Sequence, residues 1–375
     1  MSGFIPPSRA DASLPGDPRL AERPPRRRRA VERGEVGKPL KGVASHLESP
    51  PPTSQGRYGV AVVHYGDYAE LAGCLASVSA QVRASAGVWV LDVDGDGAQR
   101  AALEGDYPEV RFLTAPNLGY ASGANRLLAA IGEGGLSVDF ILLLNSDITL
   151  EPDFTRALVD ALAGHPDAAL ATGKLLRRDG RTLDSAGIDL PLHRRPRDRG
   201  SEALDRGQFD RGEYVFGASG AAMLLRCSAL PELAIEGEIF DEDFFLYYED
   251  TDLCWRSQTL GWRVYYEPAA RAQHTRGWQK ATRFAVPAWV RRHSFKNYYL
   301  QRIKNESAGK FLVGLPVTLV WEVFRFAYAL FRDRALLAAY PQAFRSAGRA
   351  FTKRRLLRRS VRRSAVRARS GPGRG

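Results

Sequence analysis

The sequence predicts an α/β protein with a mainly parallel sheet and helices on both of its faces. Short apolar runs rich in Val and Leu recur at 58–65, 87–97, 110–116 and 139–150, and stretches with helical spacing stand among them at 67–81 and 120–132. Strands interleaved with helices are the pattern of a parallel sheet covered on both faces. A polar set follows each run: His64–Asp67, Asp92–Asp96, Asn117–Tyr120 and Asn145–Asp147. In such sheets ligands bind beyond the carboxyl ends of the strands, so the four sets should line one edge.

Order begins at "YGVAVVHY". Residues 1–56 before it are rich in Pro, Arg and Gly and lack apolar periodicity, which predicts a disordered extension. "DYAELAGCLASVSAQ" carries Leu71, Leu75 and Val78 on one helical face. "GVWVLDVDGDG" reads as a second strand running into an acidic, Gly-rich turn, and "VRFLTAP" as a third strand directly after it. "YASGANRLLAAIG" is a helix, and "DFILLLNSDITL" is a buried strand followed by a polar break. No GxGxxG follows the first strand and no GxxxxGK[ST] occurs, which argues against dinucleotide oxidoreductases and P-loop enzymes.

Charge narrows the partners. The formal charge is +12, with +13 in residues 334–375 and +4 in residues 1–56, which leaves 57–333 at −5. The body is acidic and its basic runs lack interleaved aromatic stacking platforms, so no nucleic-acid partner is expected. Basic tails suit an anionic membrane surface. The three cysteines, Cys74, Cys227 and Cys254, are scattered without CxxC spacing, as fits a reducing cytosol. "FLVGLPVTLVWEVFRFAYALF" (311–331) is interrupted by Pro316, Glu322 and Arg325, which argues for interfacial or packed helices rather than a simple span. The expected location is cytoplasmic, peripheral on the cytoplasmic face of the cell membrane.

Several motifs occur in a telling order: "VAVVHYGDYAELAGCLASV", "NLGYASGANR", "LLLNSD", "FGASGAAMLLRCSAL" and "IFDEDFFLYYEDTDLCWRSQTLGWRVYYEPAARAQH". As a set they resemble the GT-A glycosyltransferases of the inverting family 2, in its rhamnosyltransferase-like and galactofuranosyltransferase-like branch, over roughly residues 58–300. The resemblance implies a GT-A domain over 57–300; the apolar run and the basic residues after it predict a helical, membrane-peripheral region over 301–345 and a basic tail over 346–375. Two departures touch the nucleotide region. The family's nucleotide turn is one residue shorter here, with Val93 where Asn is common, and the Tyr-Asn of its first strand is Tyr65-Gly66.

The chemistry then follows site by site. Charge builds on the diphosphate leaving group, and a divalent cation, Mn²⁺ or Mg²⁺, stabilises it there. Asp147 is the candidate carboxylate ligand, with Asn145 in place of the first acid of a DxD and Ser146 between them. The competing reading of Asp147 is a helix N-cap. The resemblance adds His274 as a second metal ligand. The acceptor hydroxyl must lose its proton, and the resemblance makes Asp250 the base, at a helix N-terminus whose dipole favours the charged form. Glu249 would orient it or contact the acceptor, and Asp252 is a helix cap or an acceptor contact.

Asp92 is the best candidate for the base or ribose of the nucleotide, with Asp94 behind it and Tyr65 packing on the base. Asn117, Gly123 and Asn125 would shape the diphosphate pocket. Gly217, Ala218, Ser219 and Gly220 would let backbone approach the sugars, with Tyr248 and Trp278 as aromatic walls. The expected partners are a nucleotide-diphosphate sugar, dTDP-rhamnose first, and a lipid-linked or cell-wall saccharide. Rival readings are a catalytically inactive GT-A scaffold, a basic-tailed nucleic-acid-binding protein, and a glycoside hydrolase using two carboxylates.

Overall fold

The computed structural model describes residues 56–275 and 284–369. The disordered extension expected over 1–56, Gly56 apart, lies outside the described residues, as do Trp278 and the last residues of the basic tail. The strands are β1 (Tyr58–His64), β2 (Val88–Val93), β3 (Val110–Ala115), β4 (Phe140–Asn145), β5 (Ile148–Leu150), β6 (Ala168–Arg177), β7 (Leu183–Ser185), β8 (Ile188–Asp189), β9 (Arg197–Asp198), β10 (Glu213–Val215), β11 (Ala222–Arg226) and β12 (Arg263–His274). The α-helices are α1 (Tyr68–Ser79), α2 (Gly97–Asp106), α3 (Tyr120–Glu133), α4 (Phe154–Gly164), α5 (Leu230–Leu233), α6 (Glu249–Thr259), α7 (Ala288–Asn305), α8 (Ala308–Phe331) and α9 (Ala339–Arg369).

One sheet runs in the order β10-β12-β6-β11-β4-β1-β2-β3. β4, β1, β2 and β3 are mutually parallel, and β12 is parallel to β6. β11 is antiparallel to both β4 and β6, so β6 points the same way as β4. The long strands other than β11 therefore end at one edge, and the segment leading into β11 starts from it. One apolar core contains α3 and parts of α6 and α7, and a second, on the other face, contains α1 and α4. β1 is buried at every position, as the Val-rich run demands of a central parallel strand.

One helix departs from the expectation. α2 occupies the stretch read as a turn between β2 and β3, and two adjacent parallel strands need such a crossover. Its sequence hides it, because only Leu103 is buried and no apolar stripe forms. Asp96 caps it, accepting the Ala98 N–H at 2.8 Å.

Beyond β12, α7 packs under the segment ahead of α6, and α9 packs along α7. α8 is one 24-residue helix with Pro316 inside it, long and apolar enough by length and composition to cross a membrane. Gly314, Thr318 and Ala329 are its buried residues, while Leu312, Val313, Val323 and Phe324 are among those exposed. α9 runs unbroken through the boundary drawn at 345/346, and its Lys353 is buried in the body.

Candidate active site

Five side chains at the sheet edge hold buried polar atoms with no hydrogen-bond partner among the described residues. They are His64 Nε2, Asp92 Oδ1, both amide atoms of Asn145, Asp147 Oδ1 and His274 Nε2. Such atoms are rare in native interiors, and a cluster of them marks a place built for a ligand.

His64 ends β1, with Nδ1 2.9 Å from Ser146 Oγ and its ring edge-on to Tyr68 at 4.7 Å. Burial lowers its pKa, more than Asp92 and Asp67 raise it. Asp92 is fixed through Oδ2, which accepts from Tyr68 Oη at 2.7 Å and from Arg100 at 3.3 Å. A Cβ on Gly95 would fall 1.9 Å from Asp92 Oδ1, so the chain passes this carboxylate only as glycine. Burial and then Asp94 raise the pKa of the Tyr65 phenol. Tyr65 and Asn117 also line a small cleft with Phe245 and Trp289.

Asp147 stands between β4 and β5 and starts no helix, so the cap reading does not hold. β5 pairs with the end of β12, which brings His274 Nε2 to 3.2 Å from Asp147 Oδ2. On the other side His274 Nδ1 donates to Asp184 Oδ2 at 2.7 Å. Burial alone would lower the imidazole pKa, but the two carboxylates outweigh it and raise it to about 9. Glu70 on α1 faces the same group, and burial followed by Asp147 and Asp67 pushes its carboxyl up to about 7.

The donor set suits a shared cation. Asp147 Oδ1 has no partner and His274 Nε2 has only the other oxygen of that carboxylate, at 3.2 Å, while Asp184 orients the imidazole as metal-bound histidines are usually oriented. No set of three or more His, Cys, Asp or Glu groups arranged for a metal occurs among the described residues. A cation held here would take its other ligands from diphosphate oxygens and water.

Asp250 lies in the first turn of α6 and is 1% exposed. Its Oδ2 accepts the Gly220 N–H at 3.1 Å, and its Oδ1 accepts the Thr251 N–H at 2.6 Å. Gly220 is tied to the sheet edge because the Asn145 N–H donates to the next carbonyl, Ala221, at 2.9 Å. Tyr120 Oη donates to the Gly220 carbonyl at 2.9 Å. Burial, and then Glu249, Asp250 and Asp147, raise the pKa of this phenol well above the ordinary value.

Three expected residues do other work. Asn125 is consumed by the 239–242 segment, donating to the Phe240 carbonyl and to Glu242 Oε1 and accepting from the Ile239 and Phe240 N–H groups, so it shapes no diphosphate pocket. Gly123 serves helix–sheet packing, since a Cβ there would meet Leu91 at 3.2 Å. Asp252 is neither cap nor acceptor contact: it binds Lys304 and Asn305 at 2.7 Å and Arg256 at 3.3 Å, all buried. Tyr248 sits in a left-handed conformation (φ 74°) as N-cap of α6 and faces a separate cavity against α7 and α8.

Gly217 and Ala218 press against Cys254 of α6, and Ser219 is buried with its Oγ near the Ala221 N–H. The small residues of 217–220 thus admit a helix bearing the acids, where a sugar was expected. His64 was placed at the ligand edge by the sequence but given no role, and Tyr68, Glu70 and Asp184 were not singled out. His64 and Tyr68 flank a polar strand end, a usable signal, but nothing local marks Asp184.

A mainly parallel sheet with its carboxylates gathered at the strand ends, and an acid-bearing helix beside them, is the architecture of a GT-A glycosyltransferase. The chain belongs to the family described as Glycosyltransferase like family 2, whose sequence model matches residues 55–299. It is 32% identical over 235 residues to the N-acetylglucosaminyl-diphospho-decaprenol L-rhamnosyltransferase of Mycobacterium tuberculosis, in both strain H37Rv and strain CDC 1551, covering 57% of this chain and 75% of that protein. Among solved structures, Staphylococcus aureus TarS 1-349 aligns with a TM-score of 0.50 at 14% identity, over 84% of this chain and 92% of that one. GalNAc-T7 with UDP, GalNAc and Mn²⁺ aligns with a TM-score of 0.49 at 12% identity, over 66% of this chain and 48% of its own length.

Proposed function

We propose that the chain is an inverting glycosyltransferase that moves a sugar from a nucleotide-diphosphate donor to a lipid-linked cell-envelope glycan, with dTDP-rhamnose as the first donor to try. The observation that carries this reading is the row of partnerless polar atoms on His64, Asp92, Asn145, Asp147 and His274, next to the backbone that holds Asp250. The mycobacterial relative, a rhamnosyltransferase named for a decaprenol-linked acceptor, supports the sugar and the lipid carrier.

In this reading Asp92 and Tyr65 hold the nucleoside, and Asn145 reaches the diphosphate side. Asp147 and His274 hold Mn²⁺ or Mg²⁺, which when bound supplies Lewis-acid stabilisation of the departing diphosphate. Asp250 takes the proton from the acceptor hydroxyl as the new bond to the anomeric carbon forms. The Gly220 and Thr251 N–H groups fix both its oxygens, so the base is oriented before the acceptor arrives. Glu249 stands beside it to orient the acceptor. Attack from the face opposite the diphosphate inverts the anomeric centre.

The test is nucleoside-diphosphate release from a panel of sugar nucleotides, with Mn²⁺, Mg²⁺ or EDTA, by wild type and Asp250→Asn. Metal-dependent release from one donor, lost in the variant when acceptor is supplied, supports the reading. No release and no calorimetric binding of any donor would turn the protein into an inactive scaffold.

A further inference from the structure

A cavity of about 650 Å³ lies between α7, α8 and the segment ahead of α6. That falls within the roughly 300–1,000 Å³ typical of small-molecule sites. None of the five side chains with partnerless atoms lines it. Its wall nevertheless includes Tyr247 and Tyr248, which directly precede Glu249 and Asp250. One end therefore lies at the start of α6, although neither Glu249 nor Asp250 lines it. Phe324 and Phe331, 65% and 77% exposed, line it as well, so it also opens onto the bare apolar face of α8.

Its charge is one-sided. Arg195, Arg291, Arg325 and Arg332 line it against one carboxylate, Asp333. Arg291 engages that carboxylate at 2.7 and 3.2 Å. Arg325 lies over Phe295 and Tyr298 at 4.0 and 4.1 Å and reaches Glu322 at 3.8 Å. Arg195 and Arg332 are exposed and have no ion pair among the described residues. The space is thus apolar with an excess of guanidinium groups. A bare hydrocarbon has no use for the arginines. A nucleotide finds few acceptors for its base, since Asp333 is already engaged. An amphiphile with a diphosphate head and a branched apolar tail uses both features.

We propose that this cavity holds the prenyl-diphosphate part of the acceptor, with the tail leaving along α8 and the head turned toward Tyr248 and Asp250. The proposal rests on the reading of the chain as a transferase acting on a lipid-linked acceptor. It explains why α8 leaves apolar side chains bare beside a cationic cavity, and why the acids of α6 follow two tyrosines that face that cavity.

The experiment is calorimetric binding of geranylgeranyl diphosphate in detergent to the full chain, beside inorganic diphosphate and phosphatidylglycerol vesicles. The prenyl compound should bind wild type at least tenfold more tightly than inorganic diphosphate, the scale expected when apolar groups are buried. Ala327→Trp, which fills the cavity, and Phe331→Ser, at its exposed mouth where folding is not at risk, should each weaken that binding about three- to tenfold and leave vesicle binding unchanged. Equal affinity for inorganic diphosphate would reduce the site to an anion patch. Wild-type affinity in both variants would remove the cavity from the argument, and vesicle binding that falls in parallel would make the face a bilayer contact instead.

Nucleoside-diphosphate release from the sugar donor, measured on the same wild-type sample, separates the two ideas. Release without prenyl binding sinks this site and keeps the transferase. Prenyl binding without release or donor binding keeps the site and sinks the transferase.

Discussion

The Gly220 N–H donates to Asp250 Oδ2 at 3.1 Å, and a Cβ on Gly220 would stand 3.1 Å from Asp250 Cβ. The same residue therefore both holds the acid and makes room for it. Asp250→Asn should cost about 10²–10⁴ in transfer rate, the usual worth of a positioned general base. Gly220→Ala pushes the carboxylate by a few tenths of an ångström and should cost about tenfold in kcat with little change in donor KM, because misplacement at the reacting centre is felt in the transition state. Steady-state kinetics with a donor and a lipid-linked acceptor checks both.

Asp184 should matter to metal binding without touching the metal. Its carboxylate accepts from His274 Nδ1 and so aims Nε2 at the Asp147 side. Asp184→Asn should weaken Mn²⁺ binding, measured with the nucleoside diphosphate present, about 10–100-fold, as for other residues that orient a metal ligand. An unchanged affinity would leave His274 a structural imidazole.

Asn297 on α7 should act as a positioning residue for α6. Its Nδ2 donates to the carbonyls of Phe244, Leu246 and Tyr247, each at 2.8 Å. The same segment holds Phe245, Tyr247 and Tyr248 at φ 63°, 68° and 74°, conformations that cost of order 1–3 kcal/mol each. Asn297→Ala should lower stability by about 1–3 kcal/mol and leave buried carbonyls unmatched. It should also lower kcat more than it raises donor KM, since the strained segment feeds directly into Glu249 and Asp250. Thermal melts and kinetics together separate this from a purely structural role.

The buried ion cluster predicts an acid-side weakness. Lys353 of α9 reaches Glu238, Asp241 and Asp243, and Lys304 of α7 binds both Asp241 and Asp252 at 2.7 Å. Removing one partner of a buried ion pair costs about 3–5 kcal/mol, so Lys353→Met should lower the melting temperature sharply. Burial pushes the Asp241 carboxyl up, but the two lysines overcome it and hold its pKa below the usual range. Its folded-state pKa is lowered, so its contribution is complete above the unfolded value of about 4 and is lost as pH falls below that. Melting temperatures should hold near neutrality and drop on acidification. Asp241→Asn should melt lower at neutral pH and show a smaller drop.

How much of this was legible depends on whether the signal was local. β1 to β4, α1 and α3 announce themselves because their apolar residues recur with the period of the element. α2 buries only Leu103, so its helix leaves no trace in the pattern. The Asn145–Asp147 turn stood out because it follows a buried strand, while the role given to the acids of α6 came from the family resemblance of their motif. Asn125 and Gly123 were misplaced because a motif does not say which way a side chain faces, and both lie on the inner side of α3. Asp252 was misread because its partners, Lys304 and Asn305, come more than fifty residues later. Asp184 reaches His274 across 90 residues, and only the folded sheet brings the two together.

The place of β11 has a consequence for how the chain assembles. β1 to β4 are joined by local crossovers and can pair soon after residue 145 has been made. β6 cannot join them until β11, some eighty residues after β4, fills the gap between them. Long-range pairings of this kind form slowly and expose sticky edges while they wait. The nucleotide-side strands should therefore gain protection from hydrogen exchange before the half that holds Asp250, whose helix is tied down only when Lys304 and Lys353 arrive. His274, at the end of β12, belongs to that later half, so its pairing with Asp147 forms only when β12 joins the sheet.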